Sequence, residues 1–199
     1  MAVLTQLPAG RATHRQKCRG WSCLFAFGLF LLTTSASDAQ TAPVREYQVK
    51  AVFLFNFAQF VHWPPPELTR PQEPLVIGVL GDDPFGSSLD DAVHGEQVNN
   101  HPLVIQRYRR VEDIGDCHIL FISQSEVGHL EQIFSRLKGR SILTVGDADQ
   151  FTHRGGMIRF ITEKSRIRLR INLEVARACN LTISSKLLRP AEIVSSQEE

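Results

Sequence analysis

Four carboxylates follow two apolar runs in this sequence. Asp82 and Asp83 come directly after Leu75–Leu80, and Asp147 and Asp149 come after Ser141–Val145. Open α/β sheets bind ligands at the carboxyl ends of their strands, so Asp82, Asp83 and Asp147 are candidate lining residues of a small-ligand pocket. Carboxylates also suit hard cations. The alternative reading is local: Asp83 stands just before Pro84, where a short acidic side chain caps a helix. Two adjacent acids after a first strand resemble a phospho-acceptor site, but that site needs an Asp after the third strand, and Ile122-Ser123-Gln124 stand there.

Other chemistries lack their residues. Segment Gly81–Gly86 has neither the G-x-G-x-x-G fingerprint nor a Walker sequence, so no nucleotide cofactor is expected. His62, His94, His101, His118, His129 and His153 never fall at i, i+4 on a helix, which leaves a zinc enzyme unsupported. No G-x-S-x-G elbow is present. Cys117 and His118 are neighbours in an apolar run, where adjacent side chains point to opposite faces of a strand and cannot form a thiolate–imidazole pair. The sequence therefore predicts no catalytic residues, no metal site and no cofactor.

Binding is better represented. Arg166, Arg168 and Arg170 alternate with Ile167, Leu169 and Ile171, so the three guanidinium groups share one strand face. That face suits an acidic partner or anionic headgroups, or it is a solvated face that protects an edge. Arg107, Arg109 and Arg110 are candidates to extend it. Segment 44–62 contains no Gly or Pro, and Val49, Val52, Phe53, Asn56, Phe57 and Phe60 fall at helical spacing. Leu54, Phe55 and Val61 lie off that stripe. Such a helix is either sandwiched within the fold or offers Phe53, Phe57 and Phe60 to a second chain.

These groups must be positioned by a compact fold. The chain has 199 residues, 43% hydrophobic and 22% charged, with a formal net charge of +1. This composition excludes a disordered chain, and the near-neutral charge disfavours a nucleic-acid partner. Residues 1–39 differ from the rest. Arg11, Arg15, Lys17 and Arg19 precede the mostly apolar run Leu24–Leu32, and Ser37-Asp38-Ala39 fits a small-x-small cleavage site. This is the pattern of a secretory signal peptide cut after Ala39, with an uncleaved anchor helix as the alternative. Of 22 basic and 21 acidic residues, four and one lie in this segment, so the remainder carries 18 and 20. The charge is uneven: residues 40–135 hold 6 basic and 13 acidic side chains, and residues 136–189 hold 12 and 4. Such a dipole steers a charged partner, or the two signs pair within the fold.

Residues 40–199 read as one α/β domain. Trp63-Pro64-Pro65-Pro66 stops the first helix. Apolar runs at 75–80, 117–122 and 141–145 predict buried strands, and 98 and 103–108 another. Helices are expected at about 84–93, 126–137 and 173–179. Segments 156–162 and 166–171, separated by Glu163-Lys164-Ser165, read as a hairpin that makes the sheet mixed. Residues 181–183 are expected to be extended, and 184–188 to form a last helical turn.

Several of these segments resemble one known family. They are Lys50–Pro64, Ile77–Phe85, Cys117–Ile122, Leu143–Asp147, Phe151 with Gly155–Ile158, Ile171–Leu173 and Ile183–Leu188. In this order they resemble the YfiR family, also described as HmsC-like, over about 47–190. The resemblance implies a three-layer α/β/α periplasmic domain that tends to form homodimers and has no catalytic site. It also implies a negative regulator that holds an inner-membrane diguanylate cyclase inactive through its periplasmic domain, lowering cyclic-di-GMP output and biofilm formation. A small-ligand-binding module serving a sensor kinase or transporter is the alternative. Members under redox control pair the cysteine at the Cys117 position with one in the first strand, where this chain carries Gly78. A bond between Cys117 and Cys179 remains open and requires Cα atoms within about 7 Å.

Overall fold

The computed structural model describes residues 41–65, 68 and 72–195. The expected leader at 1–39 lies outside the described residues. Eight strands form one sheet in the order β10-β8-β7-β6-β5-β2-β4-β3. Its centre is parallel: β2 (Leu75–Leu80) lies between β4 (His101–Tyr108) and β5 (Ile119–Ile122), and β6 (Leu143–Gly146) and β7 (Ile158–Glu163) follow. β8 (Arg166–Asn172) runs antiparallel to β7. At the ends, β10 (Glu192–Val194) is parallel to β8, and β3 (Gln97–Val98) is antiparallel to β4.

The sheet is covered on both faces, which is why its central strands are apolar without a break. Ile77, Val79, Ile119, Phe121, Leu143 and Val145 join one core with α1 (Thr41–Phe60) and α2 (Ser87–Val93). Leu80, Leu120 and Ile122 join the other core with α3 (Leu130–Leu137). The fold is the expected three-layer sandwich with a mixed, mostly parallel sheet and a late hairpin.

α1 departs from its expected phase. Ala51, Leu54, Phe57 and Ala58 are buried, whereas Val49 and Val52 are 46% and 51% exposed. One residue is about 100° of helix, and a segment apolar nearly all round does not select which face turns inward. The helix also ends two residues early. Val61–His62 form β1, which pairs with β9 (Thr182–Ile183) beside it. Ser184 N–H donates to the Phe60 carbonyl at 2.8 Å, satisfying one of the helix's last acceptors.

Other boundaries shift for local reasons. α2 starts at Ser87, because Asp83 Oδ1 accepts from Phe85 N–H at 2.7 Å and Gly86 takes φ 55° before the first turn. Asp83 therefore closes a turn ahead of the helix and does not cap it. Residues Gln124–His129 wind as 3-10 turns before α3. The hairpin loop is two residues, Lys164 and Ser165, with φ 49° and 60°. Both values suit the type I′ turn that matches strand twist. α4 (Leu173–Ala178) is capped by Asn172, whose Oδ1 accepts from Val175 N–H at 3.1 Å, and α5 (Ser185–Leu188) follows β9.

Candidate functional site

Asp147 leaves the carboxyl end of β6 and is met by the first half of α1. Lys50 Nζ lies 2.6 Å from Asp147 Oδ2 and 2.6 Å from Glu46 Oε1. Tyr47 O–H donates to the same Asp147 oxygen at 2.9 Å. The Lys50 and Asp147 side chains are only 3% and 5% exposed. Lys50 Nζ also sits 4.3 Å from the centre of the Tyr47 ring, a cation–π contact. Burial, then the neighbouring Asp147 charge, pushes the Tyr47 phenol above its ordinary range, so it stays a donor. Glu46 accepts in addition from Thr162 Oγ1 at 2.8 Å.

A cleft of about 300 Å³ opens beside this cluster, with Gln124, Asp149 and Arg159 on its other walls. Asp147 Oδ1 has no hydrogen-bond partner among the described residues. The charges of Asp147 and Lys50 neutralise each other. Their chief work is mechanical, because they tie α1 to the end of β6 across 97 positions of sequence.

Asp82, Asp83 and Asp147 do not converge, which corrects the expected pocket. β5 separates β2 from β6, so the strand ends that carry them lie about 10 Å apart. Asp83 accepts from Arg107 Nε at 2.7 Å, and the Arg107 fork reaches both Asp90 oxygens at 3.1 and 2.5 Å. The hydrogen bond from Arg107 holds the Asp90 carboxyl below its usual value. Asp82 is exposed, and its backbone N–H donates to Ser125 Oγ at 3.0 Å. Among the described residues no group of three or more His, Cys, Asp or Glu side chains is arranged to hold a metal ion.

The hairpin arginines share a face but not an environment. Arg166 and Arg168 are exposed, and Arg168 Nη1 lies 3.3 Å from Glu163. Arg170 is half-buried and donates to both oxygens of Glu192 at 3.1 and 3.0 Å. Arg107, Arg109 and Arg110 do not extend this face. Four strands lie between β4 and β8, a separation of about 24 Å.

The aromatic candidates on α1 also divide. Phe57 is fully buried and stacks on Phe160 at 5.8 Å, so it has no surface to offer a second chain. Phe53 and Phe60 are partly buried against the same core. The open part of the helix is carried by Val49 and Val52.

Cys117 and Cys179 are both free thiols. Cys117 belongs to the core on the α3 side and Cys179 packs on the α1 side, so the sheet stands between them and no bond joins them. Burial pushes the Cys117 thiol up to about 12. A Cβ placed on Gly78 would lie 2.9 Å from Cys117 Sγ, so the two positions are adjacent although only one carries sulfur.

Lys50, Tyr47 and Arg159 were not among the sequence candidates. A signal for Lys50 exists: it is the single Lys, Arg, Asp or Glu between Tyr47 and Pro66. A lone ammonium in an apolar helix requires a buried counter-charge. Its partner cannot be read without the fold.

These features define a three-layer α/β domain whose buried Lys50–Asp147 pair ties α1 to β6 and whose clefts open beside β6, β7 and β8. Residues 47–192 match the family model described as YfiR/HmsC-like, and the chain belongs to that family. The family is one of periplasmic regulators in cyclic-di-GMP signalling. A search of curated proteins returns no match. Among the described residues no helix is long and apolar enough to cross a membrane.

Proposed function

We propose that this chain is a non-enzymatic periplasmic regulator that restrains an inner-membrane diguanylate cyclase by binding the cyclase's periplasmic domain. The observation that carries the reading is the family match over 47–192, which takes in most of α1 and every later element up to the first residue of β10. In this reading residues 1–39 are the export signal and the working form is a homodimer. The exposed guanidinium groups of Arg166 and Arg168 are the contact offered to an acidic partner surface.

The test has two arms in the native host. Deleting the gene raises cyclic-di-GMP, and tagged protein captures an inner-membrane protein with a cytoplasmic diguanylate cyclase domain. Arg168→Glu then weakens that capture. Unchanged cyclic-di-GMP together with no cyclase captured by folded bait overturns the reading. The cleft beside Asp147 favours a second reading, a ligand-binding module, and capture of a sensor kinase or transporter selects it.

A further inference from the structure

A second cleft, of about 440 Å³, lies over β7, β8 and β10 on the hairpin's arginine face. Arg159 and Arg170 stand directly opposite each other in the β7–β8 register. Like charges in that position repel. Each guanidinium is matched only along its outer edge. Arg159 Nη2 donates to Asp149 Oδ1, and Arg170 Nη2 donates to both Glu192 oxygens. The Nε atoms of both arginines are buried and have no partner among the described residues. Buried donors without acceptors are rare in folded proteins because water no longer satisfies them. Two on facing arginines mark a place where an acceptor is missing.

The present counter-ions are weakly held. Asp149 is 95% exposed and Glu192 57% exposed. Ion pairs of such groups contribute little, so another anion displaces them at small cost. Planar guanidinium groups pair best with oxyanions that accept two parallel hydrogen bonds, which carboxylates and phosphates both do. His153 lines the same cleft as a further donor, and Ile193 and Val194 supply an apolar wall. Ile193 is 46% exposed, with Val49 and Val52 one of three large apolar side chains open to water among the described residues.

We infer that this cleft binds a small molecule carrying a carboxylate or phosphate group, held jointly by Arg159 and Arg170, with its apolar part against Ile193 and Val194. On entry the oxyanion takes the place of the Asp149 and Glu192 carboxylates, and the guanidinium groups turn to present their Nε edges. The site does not depend on the partner proposed above.

The test is thermal melting of the full chain with millimolar inorganic phosphate or acetate, at ionic strength held constant with sodium chloride. A site of this kind raises Tm by about 5–10 °C at a hundredfold excess over Kd, and the rise continues with the logarithm of anion concentration. Arg170→Gln and Arg159→Gln abolish the rise, and Arg168→Gln, on the same face but outside the cleft, retains it. A rise with phosphate alone assigns a phosphate-bearing ligand, and a rise with acetate alone a carboxylate-bearing one. Circular dichroism checks that each variant is folded. Titration calorimetry on the unaltered chain gives a readout that needs no variant. Absence of saturable binding to either anion, or a rise that persists in both cleft variants, overturns the inference.

Discussion

The Lys50–Asp147 pair permits a quantitative test of what holds α1 to the sheet. Lys50→Met removes the ammonium and keeps most of the apolar stem in place. Asp147 is then a carboxylate only 5% exposed, left with the Tyr47 hydroxyl as its one side-chain donor. Removing one partner of a buried pair costs about 3–5 kcal/mol, because the other charge stays buried without compensation. The Glu46 contact adds little, since Glu46 is 30% exposed and can turn to water. For a domain of this size each kcal/mol moves Tm by about 2–4 °C, so Lys50→Met lowers it by roughly 6–20 °C. Asp147→Leu strands the ammonium instead and costs a similar amount. The double variant Lys50→Met/Asp147→Leu replaces the pair with apolar volume and recovers most of the loss, since buried pairs contribute little net stability over apolar substitutes. Urea unfolding of the four proteins at neutral pH, followed by circular dichroism, closes the cycle with a coupling of about 5 kcal/mol or more, the summed single losses less the small loss of the double variant. A loss below about 1 kcal/mol for Lys50→Met, or a double variant as weak as the summed singles, would refute the reasoning.

Further outcomes follow from the two cores and the hairpin. With its thiol near 12, Cys117 is about one part in ten thousand thiolate near pH 8, so alkylation and peptide mapping leave it unlabelled until urea is added. Rapid labelling in the native protein would contradict its burial. Cys117 is raised from 9.0 to about 12 and Tyr108 from 10.0 to about 12, both chiefly by burial. Above about pH 9 the unfolded chain gives up these protons first, so their stabilisation is complete below pH 9 and falls away toward pH 12. A urea midpoint constant over that window would exclude this linkage. Gly78→Ala puts a methyl 2.7 Å from Tyr108 Cε2 and 2.9 Å from Cys117 Sγ. It costs about 1–3 kcal/mol by overpacking, and a neutral result in urea would show that the strand or Tyr108 yields freely. Ser165→Gly relieves a left-handed backbone, φ 60°, at the hairpin turn and raises stability by up to about 1 kcal/mol. A fall in Tm would mean that the Ser165 side chain contributes more than its backbone costs.

The architecture was legible where burial on both faces forces an unbroken apolar run. Leu75–Leu80 is buried at all six positions and keeps its expected limits. Legibility fails where the same rule removes information. α1 is apolar nearly all round, so its sequence names a buried helix but not the face that is buried. β10 has only three residues, and pairing with β8 makes it a strand. β1 and β9 are two residues each and exist through each other. The 3-10 turns at Gln124–His129 include Gly128, a poor helix former, where a helix was expected to begin.

The clefts show how one residue of loop length decides whether a site can be read. Alternation correctly placed Arg166, Arg168 and Arg170 on one face. What separates Arg170 from Arg168 is the residue opposite: Ile161 faces Arg168, and Arg159 faces Arg170. In an antiparallel hairpin those pairings are fixed once the loop is known. With Lys164-Ser165 as the loop, Arg159 and Arg170 each stand fifth from the turn and meet. With Glu163-Lys164-Ser165 as the loop, Arg170 meets Ile158 and Arg159 turns to the opposite face. The three-residue reading therefore concealed a pair of facing arginines whose Nε atoms lack acceptors among the described residues. Glu163-Lys164-Ser165-Arg166 are four consecutive polar residues, so polarity does not single out a two-residue turn, and Lys-Ser is not among the pairs favoured there. The signal that would have settled it is left-handed backbone at Lys164 and Ser165, a property of conformation and not of residue type.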